Sequence, residues 1–102
     1  MQRAMIRYRI KPDHVARNEE LVRAVYAELH AAKPGGLRYA TFRLADGVSF
    51  VHIVEKDTPD GSNPLDAVAA FATFRQNIAD RCDQTPVETD LSEIGSYRFL
   101  GQ

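Results

Sequence analysis

Apolar and polar residues alternate first over 4–10, where Ile6, Tyr8 and Ile10 interleave with Met5, Arg7 and Arg9. A period of two predicts a strand with two unlike faces. Pro12 and Asp13 supply a turn and an N-cap, and the spacing then changes: Val15, Leu21, Val22, Val25 and Leu29 recur at helical intervals up to Lys33. Pro34, Gly35 and Gly36 end that helix. Leu37 to Leu44 and Val48 to Glu55 read as two strands joined by Ala45-Asp46-Gly47, a hairpin.

Residues 56–63, with Pro59 and Gly61, read as a loop ending at the N-cap pair Asn63-Pro64. From there Leu65, Val68, Ala69, Phe71, Ala72, Phe74 and Ile78 mark one amphipathic helix to about Arg81. Thr85-Pro86 restarts an extended chain running to Leu100, with a break at Ser92 or a bulge at Gly95.

The order β-α-β-β-α-β predicts an α+β, ferredoxin-like single domain over 1–102: a four-stranded antiparallel sheet with both helices on one face. The reading turns Ile6, Tyr8, Ile10, Ala40, Phe42, Leu44, Val51, Ile53, Tyr97 and Phe99 toward the helices. Met5, Arg7, Arg9, Tyr39, Thr41, Arg43, Phe50, His52, Val54, Ser96 and Arg98 then occupy the open face. A slip of one residue in any strand exchanges its two faces.

Composition narrows the classes of function. A net charge of −1, with scattered Lys and Arg, offers no basic stripe for nucleic acid. The longest apolar run, Ala67 to Ala72, is far short of the ~20 residues a membrane span needs, and no signal-peptide core is visible, so the chain is expected in the cytoplasm without membrane attachment. Cys82 is the only cysteine, which excludes an intrachain disulfide and a multi-cysteine metal site. No two histidines stand at i, i+3 or i, i+4, so no metal is expected. A domain of 102 residues leaves much apolar surface uncovered, and an open face of large apolar groups and arginines suits pairing with a second copy.

His52 is the leading titratable candidate, because a mid-strand imidazole facing a pocket can serve as general base toward a phenolic or enolic substrate. The plainer alternative is a histidine bonded to a neighbouring strand or lying at a dimer seam. Arg7, Arg9, Arg43 and Arg98 converge on the open face in this register and would hold a carboxylate or enolate, unless they pair with Glu55, Glu88, Asp90 or Glu93. Tyr39 and Tyr8 can donate to a substrate oxygen or simply pack in the core. Phe50 completes the predicted ligand surface.

Ile6-Arg7-Tyr8-Arg9-Ile10-Lys11-Pro12, Pro34-Gly35-Gly36-Leu37-Arg38-Tyr39, Phe50-Val51-His52-Ile53-Val54-Glu55 and Phe74-Arg75 together resemble the antibiotic biosynthesis monooxygenase-like group of the dimeric α/β barrel superfamily. The resemblance implies a homodimer holding a small organic molecule, with oxygenation of aromatic compounds needing no metal or flavin as one activity of the group and haem degradation as another. The chain contains no Trp, and Ala70, Phe71, Ala72 and Thr73 stand where the group often has a histidine before the Phe of the second helix. Haem degradation is thereby disfavoured. The reading that follows is a cofactor-independent, monooxygenase-like enzyme with His52, Tyr39 and Arg43 as its catalytic set and Arg7, Arg9, Phe50 and Arg98 binding the ligand. Its competitor is a non-catalytic dimeric barrel that binds a ligand or a protein.

Overall fold

The computed structural model describes residues 1–99. Strand β1 (Gln2–Ile10) leads through a 3-10 turn at Pro12–His14 into helix α1 (Val15–Ala32). Lys33 ends α1 in the left-handed conformation at φ 49°, its N–H returning to the Leu29 carbonyl. Gly36, at φ +74°, then turns the chain into β2 (Leu37–Arg43); a Cβ there would come within 2.7 Å of the Asp57 carbonyl oxygen, so glycine is required twice over.

The hairpin to β3 (Ser49–Lys56) closes on Asp46, whose carboxylate accepts from the N–H groups of Val48 and Ser49 and from the Ser49 hydroxyl. The sheet is completed by β4 (Cys82–Asp90), in the order β2-β3-β1-β4, all neighbours antiparallel. This is the predicted ferredoxin-like α+β arrangement, with the helices on one face.

The second helical region departs from the single helix predicted over 65–81. A 3-10 turn at Pro64–Ala67, helix α2 (Ala69–Arg75) and a short α3 (Ile78–Arg81) replace it. Val68 is extended and Asn77 is left-handed at φ 59°, so the backbone breaks twice inside one apolar period. The last strand also begins at Cys82 rather than Thr85 and ends at Asp90, where its ladder to β1 stops at Ala4. Beyond it the Leu91 N–H still reaches the Arg3 carbonyl, but residues 92–99 form no strand; the predicted end at Leu100 lies outside the described residues.

The faces of β2 and β3 are the reverse of those predicted. Ile6 opposes His52 and Tyr8 opposes Phe50, while Thr41 opposes His52 and Tyr39 opposes Val54, so all of these side chains share one face with Tyr8 and Ile10. Tyr8 and Ile10 are buried beneath the helices, which fixes that face as the core side. In β3 both alternating sets are apolar enough to be core, and only pairing with β1 decides between them. The bulkier Phe50, His52 and Val54 go inward, and Val51 and Ile53 join Ala40, Phe42, Met5 and Val87 on the open face. Tyr97 and Phe99, predicted toward the helices, are exposed in the tail.

Candidate functional site

His52 is 3% exposed and sits at the centre of the core side of the sheet. Its Nε2 lies 2.7 Å from the Tyr8 hydroxyl, and its Nδ1 lies 2.5 Å from the Tyr39 hydroxyl and 3.2 Å from Thr41 Oγ1. Asn18 of α1 donates to the Tyr8 oxygen at 3.1 Å, and the Tyr26 hydroxyl stands 2.8 Å from Thr41 Oγ1. Two helix residues and four strand residues thus form one polar network inside an apolar layer.

The surrounding rings hold it in place. Tyr8 stacks on Phe50, His52 on Phe74, and Tyr39 on Tyr26, with Phe71 edge-on to Tyr39. Burial penalises charge here: the His52 pKa is pushed down from 6.5 to about 4, so the ring is neutral at pH 7. The same desolvation pushes Tyr8 and Tyr39 well above the usual phenol value, and Tyr26 to about 12, so all three remain neutral hydroxyls.

Above this network lies a cavity of about 310 Å³ between the sheet and α2. Its floor holds His52, Ile6 and Glu88, directly opposed on β3, β1 and β4, and Thr41 continues that row on β2 outside the lining. Tyr39, His52 and Tyr8 line one side, Glu88 and Pro86 of β4 the other, and Phe71, Phe74 and Arg75 form the helical wall. Arg75 lies over the Phe71 ring at 5.7 Å. Two larger hollows, about 790 and 750 Å³, open beside the tail and are lined by residues such as Arg3, Arg38, Glu55 and Glu93; His52 reaches neither.

The predicted residues separate accordingly. His52 and Tyr39 meet at the cavity, on the helix side rather than the open face. Arg43 does not join them: it stands at the sheet edge and donates to Glu19 of α1 at 2.6 Å. Phe50 is packed behind Tyr8, outside the cavity lining. Arg9 pairs with Asp83 at 2.6 Å, Arg7 is exposed on the open face, and the Arg98 guanidinium lies over the Tyr97 ring. The expected convergence of four arginines is therefore absent, because reversing β2 carried Arg43 to the other side and the tail carries Arg98 outside the sheet.

Sequence reading missed Asn18, Thr41, Tyr26, Arg75 and Glu88 as parts of the site. Asn18 had a legible signal: it falls three residues after Val15 and three before Leu21, on the apolar stripe of α1, and is 0% exposed. A polar residue on a buried stripe needs a partner inside the core.

Among the described residues no group of three or more His, Cys, Asp and Glu stands close enough to hold a metal ion, and no helix is long and apolar enough to cross a membrane.

No family model and no curated protein matches the sequence. Solved structures do. Rv0793 from Mycobacterium tuberculosis superposes with a TM-score of 0.74 at 17% identity, over 93% of this chain and 96% of that one. A candidate antibiotic biosynthesis monooxygenase from Nitrosomonas europaea gives 0.73 at 18% identity, over 93% and 100%. SnoaB, a cofactor-independent oxygenase from Streptomyces nogalater, gives 0.67 at 16% identity, over 93% and 94%. Identities this low show a shared fold, the one the sequence resemblance implied.

Proposed function

We propose that this chain, on the fold it shares with SnoaB, is a homodimeric, cofactor-independent monooxygenase-like enzyme that takes an aromatic or enolic small molecule into the cavity above His52. The observation that carries the reading is an aromatic-walled cavity with a neutral phenol, Tyr39, at one end of its floor and a carboxylate, Glu88, at the other.

Oxygenation without a cofactor needs a substrate that gives up a proton and then its own electrons to O2. For a ring CH2 the balance is CH2 + O2 giving C=O + H2O, with no outside reductant. The protein's share is to hold the substrate, stabilise an enolate oxygen and accept a proton. Tyr39 supports the second role. His52 is a poor proton acceptor, being bonded at both nitrogens and pushed down to about 4, so Glu88 takes the third role in this reading. Arg43, Arg7, Arg9 and Arg98 have no part in it.

The test is oxygen uptake with 1,8-dihydroxyanthrone in chelator-treated, flavin-free buffer. Turnover to the anthraquinone above the buffer rate is expected, and Glu88→Gln should lower kcat by ~100-fold or more. A second reading, a ligand-binding barrel without turnover, is favoured by the complete engagement of His52. Binding of the anthrone with no added oxygen uptake would select it over the enzyme.

The homodimer is proposed from the open face, where Met5, Phe42, Val51, Ile53 and Val87 gather without a helix over them. Phe42 is 42% and Val87 63% exposed in the single chain. Apolar groups collected on one sheet face gain by excluding water against a like surface.

A further inference from the structure

His52 connects two hydroxyl systems, and a neutral imidazole has one N–H and one lone pair to divide between them. On the Nε2 side the Tyr8 oxygen already accepts from Asn18 Nδ2. Among the described residues the acceptor in reach of Tyr8's own hydrogen is then Nε2. Were Nε2 to carry the imidazole hydrogen, the Tyr8 hydrogen would have to find its partner in the cavity from a residue 2% exposed and packed against Phe50 and Phe74, whereas Tyr39 is only half-buried.

Turning the Asn18 amide over would offer Tyr8 an oxygen. It would also strand both amide hydrogens at 0% exposure, where the present orientation leaves Oδ1 and one hydrogen unbonded. An orphaned carbonyl oxygen is the milder of the two defects. The hydrogen-bond inventory therefore puts the imidazole hydrogen on Nδ1, donating to the Tyr39 oxygen.

That assignment leaves a surplus on the other side. Tyr39, Thr41 and Tyr26 carry three hydroxyl hydrogens, and the hydrogen bond among their oxygens is Tyr26 with Thr41, so the Tyr39 hydrogen, with Nδ1 now a donor, has no acceptor there. That hydrogen must leave the group, and of the three residues Tyr39 is the one lining the cavity. We propose that the fixed Nδ1–H tautomer of His52 sends this hydrogen out of the Tyr39 hydroxyl, making Tyr39 a donor subsite for a carbonyl or enolate oxygen. His52 is then a positioning residue that acts through Tyr39. The proposal rests on the small-molecule reading above and names the group that its ligand must present. With an oxygen at Tyr39, the rest of the ligand lies over Ile6 toward Glu88.

Two measurements test it. Long-range 1H–15N correlation of the histidine rings reads the tautomer without any ligand, and the Nδ1–H pattern is expected for His52 near pH 7. Titration with 1-tetralone and with tetralin, matched in shape but differing in the carbonyl, reads the subsite. The ketone should bind roughly five- to tenfold more tightly, the scale of one net hydrogen bond. Tyr39→Phe should erase the preference. So should Tyr8→Phe, which leaves Tyr39 in place but frees His52 to carry its hydrogen on Nε2 and accept from Tyr39, a change a purely structural role would not produce. An Nε2–H pattern in the unsubstituted protein, or equal binding of the two probes, overturns the proposal while the cavity reading stands. Binding of neither probe overturns the small-molecule reading and the subsite with it. The tautomer reading needs no variant, so it decides even if Tyr8→Phe does not fold.

Discussion

A histidine in water takes a proton near pH 6.5, and burial holds His52 neutral down to about 4. Between those values the unfolded chain binds a proton that the folded chain refuses, so acid favours unfolding. The contribution of His52 is complete above about pH 6.5 and falls by ~1.4 kcal/mol per pH unit as pH drops, ~3 kcal/mol in all by pH 4. Urea unfolding of the wild type and of His52→Gln should therefore converge between pH 7 and pH 4.5, the wild type losing more; parallel curves would show that His52 titrates normally. The sequence made this residue and Tyr39 visible as chemistry, since a histidine between Val51 and Ile53 and a tyrosine near the start of a strand invite a role. It did not show which way they face. Val51 and Ile53 are as fit for the core as Phe50 and Val54, and only the pairing of Ile6 with His52 resolves the choice. Arg43 left the site for the same reason.

At the scale of elements, α2 is a seven-residue helix whose ends are held from elsewhere. Glu28 of α1 accepts from the N–H groups of Ala69 and Ala70 at 3.0 and 2.9 Å, and Arg81 donates to the carbonyls of Phe74 and Gln76 at 2.6 and 3.0 Å. Glu28→Ala should cost ~1–2 kcal/mol, the range of a lost N-cap, and should also weaken ligand binding because Phe71 and Phe74 stand on this helix. Thermal melts and the tetralone titration check both parts. Asn77, left-handed at φ 59°, predicts a second contrast: Asn77→Ala should cost ~1 kcal/mol and Asn77→Gly little, read from denaturant midpoints. Neither clamp was legible, because Glu28 and Arg81 act across 41 and 7 residues. Asn63-Pro64 reads as the helix start yet caps only a 3-10 turn, its side chain accepting from the Leu65 N–H.

For the whole molecule, the succession β-α-β-β-α-β, the antiparallel sheet and the helices' place on the Ile6, Tyr8 and Ile10 face of β1 followed from the alternation of periods two and 3.6 and the short hairpin. The extent of β4 did not, since Thr85-Pro86 resembles a strand start although pairing with β1 begins three residues earlier, at Cys82. Proline is tolerated there because β4 is an edge strand. If the open face carries the dimer, Val51→Arg places a charge at its centre and should shift the protein to monomer in sedimentation or light scattering, with the core-side cavity intact. A wild type that is already monomeric at micromolar concentration would remove the homodimer from the reading.

The two clamps on α2 also bear on how anything enters. Glu28 and Arg81 grip a single wall of the cavity at opposite ends, so that wall has the build of a shutter latched top and bottom. Releasing one latch lets it pivot on the other, and releasing both detaches it. Amide hydrogen exchange in 69–75 should accordingly be slower than so short a helix would show alone, and should quicken when either latch is cut. A ligand that needs the shutter ajar will then arrive at a rate set by Glu28 and Arg81, two side chains that do not line the cavity.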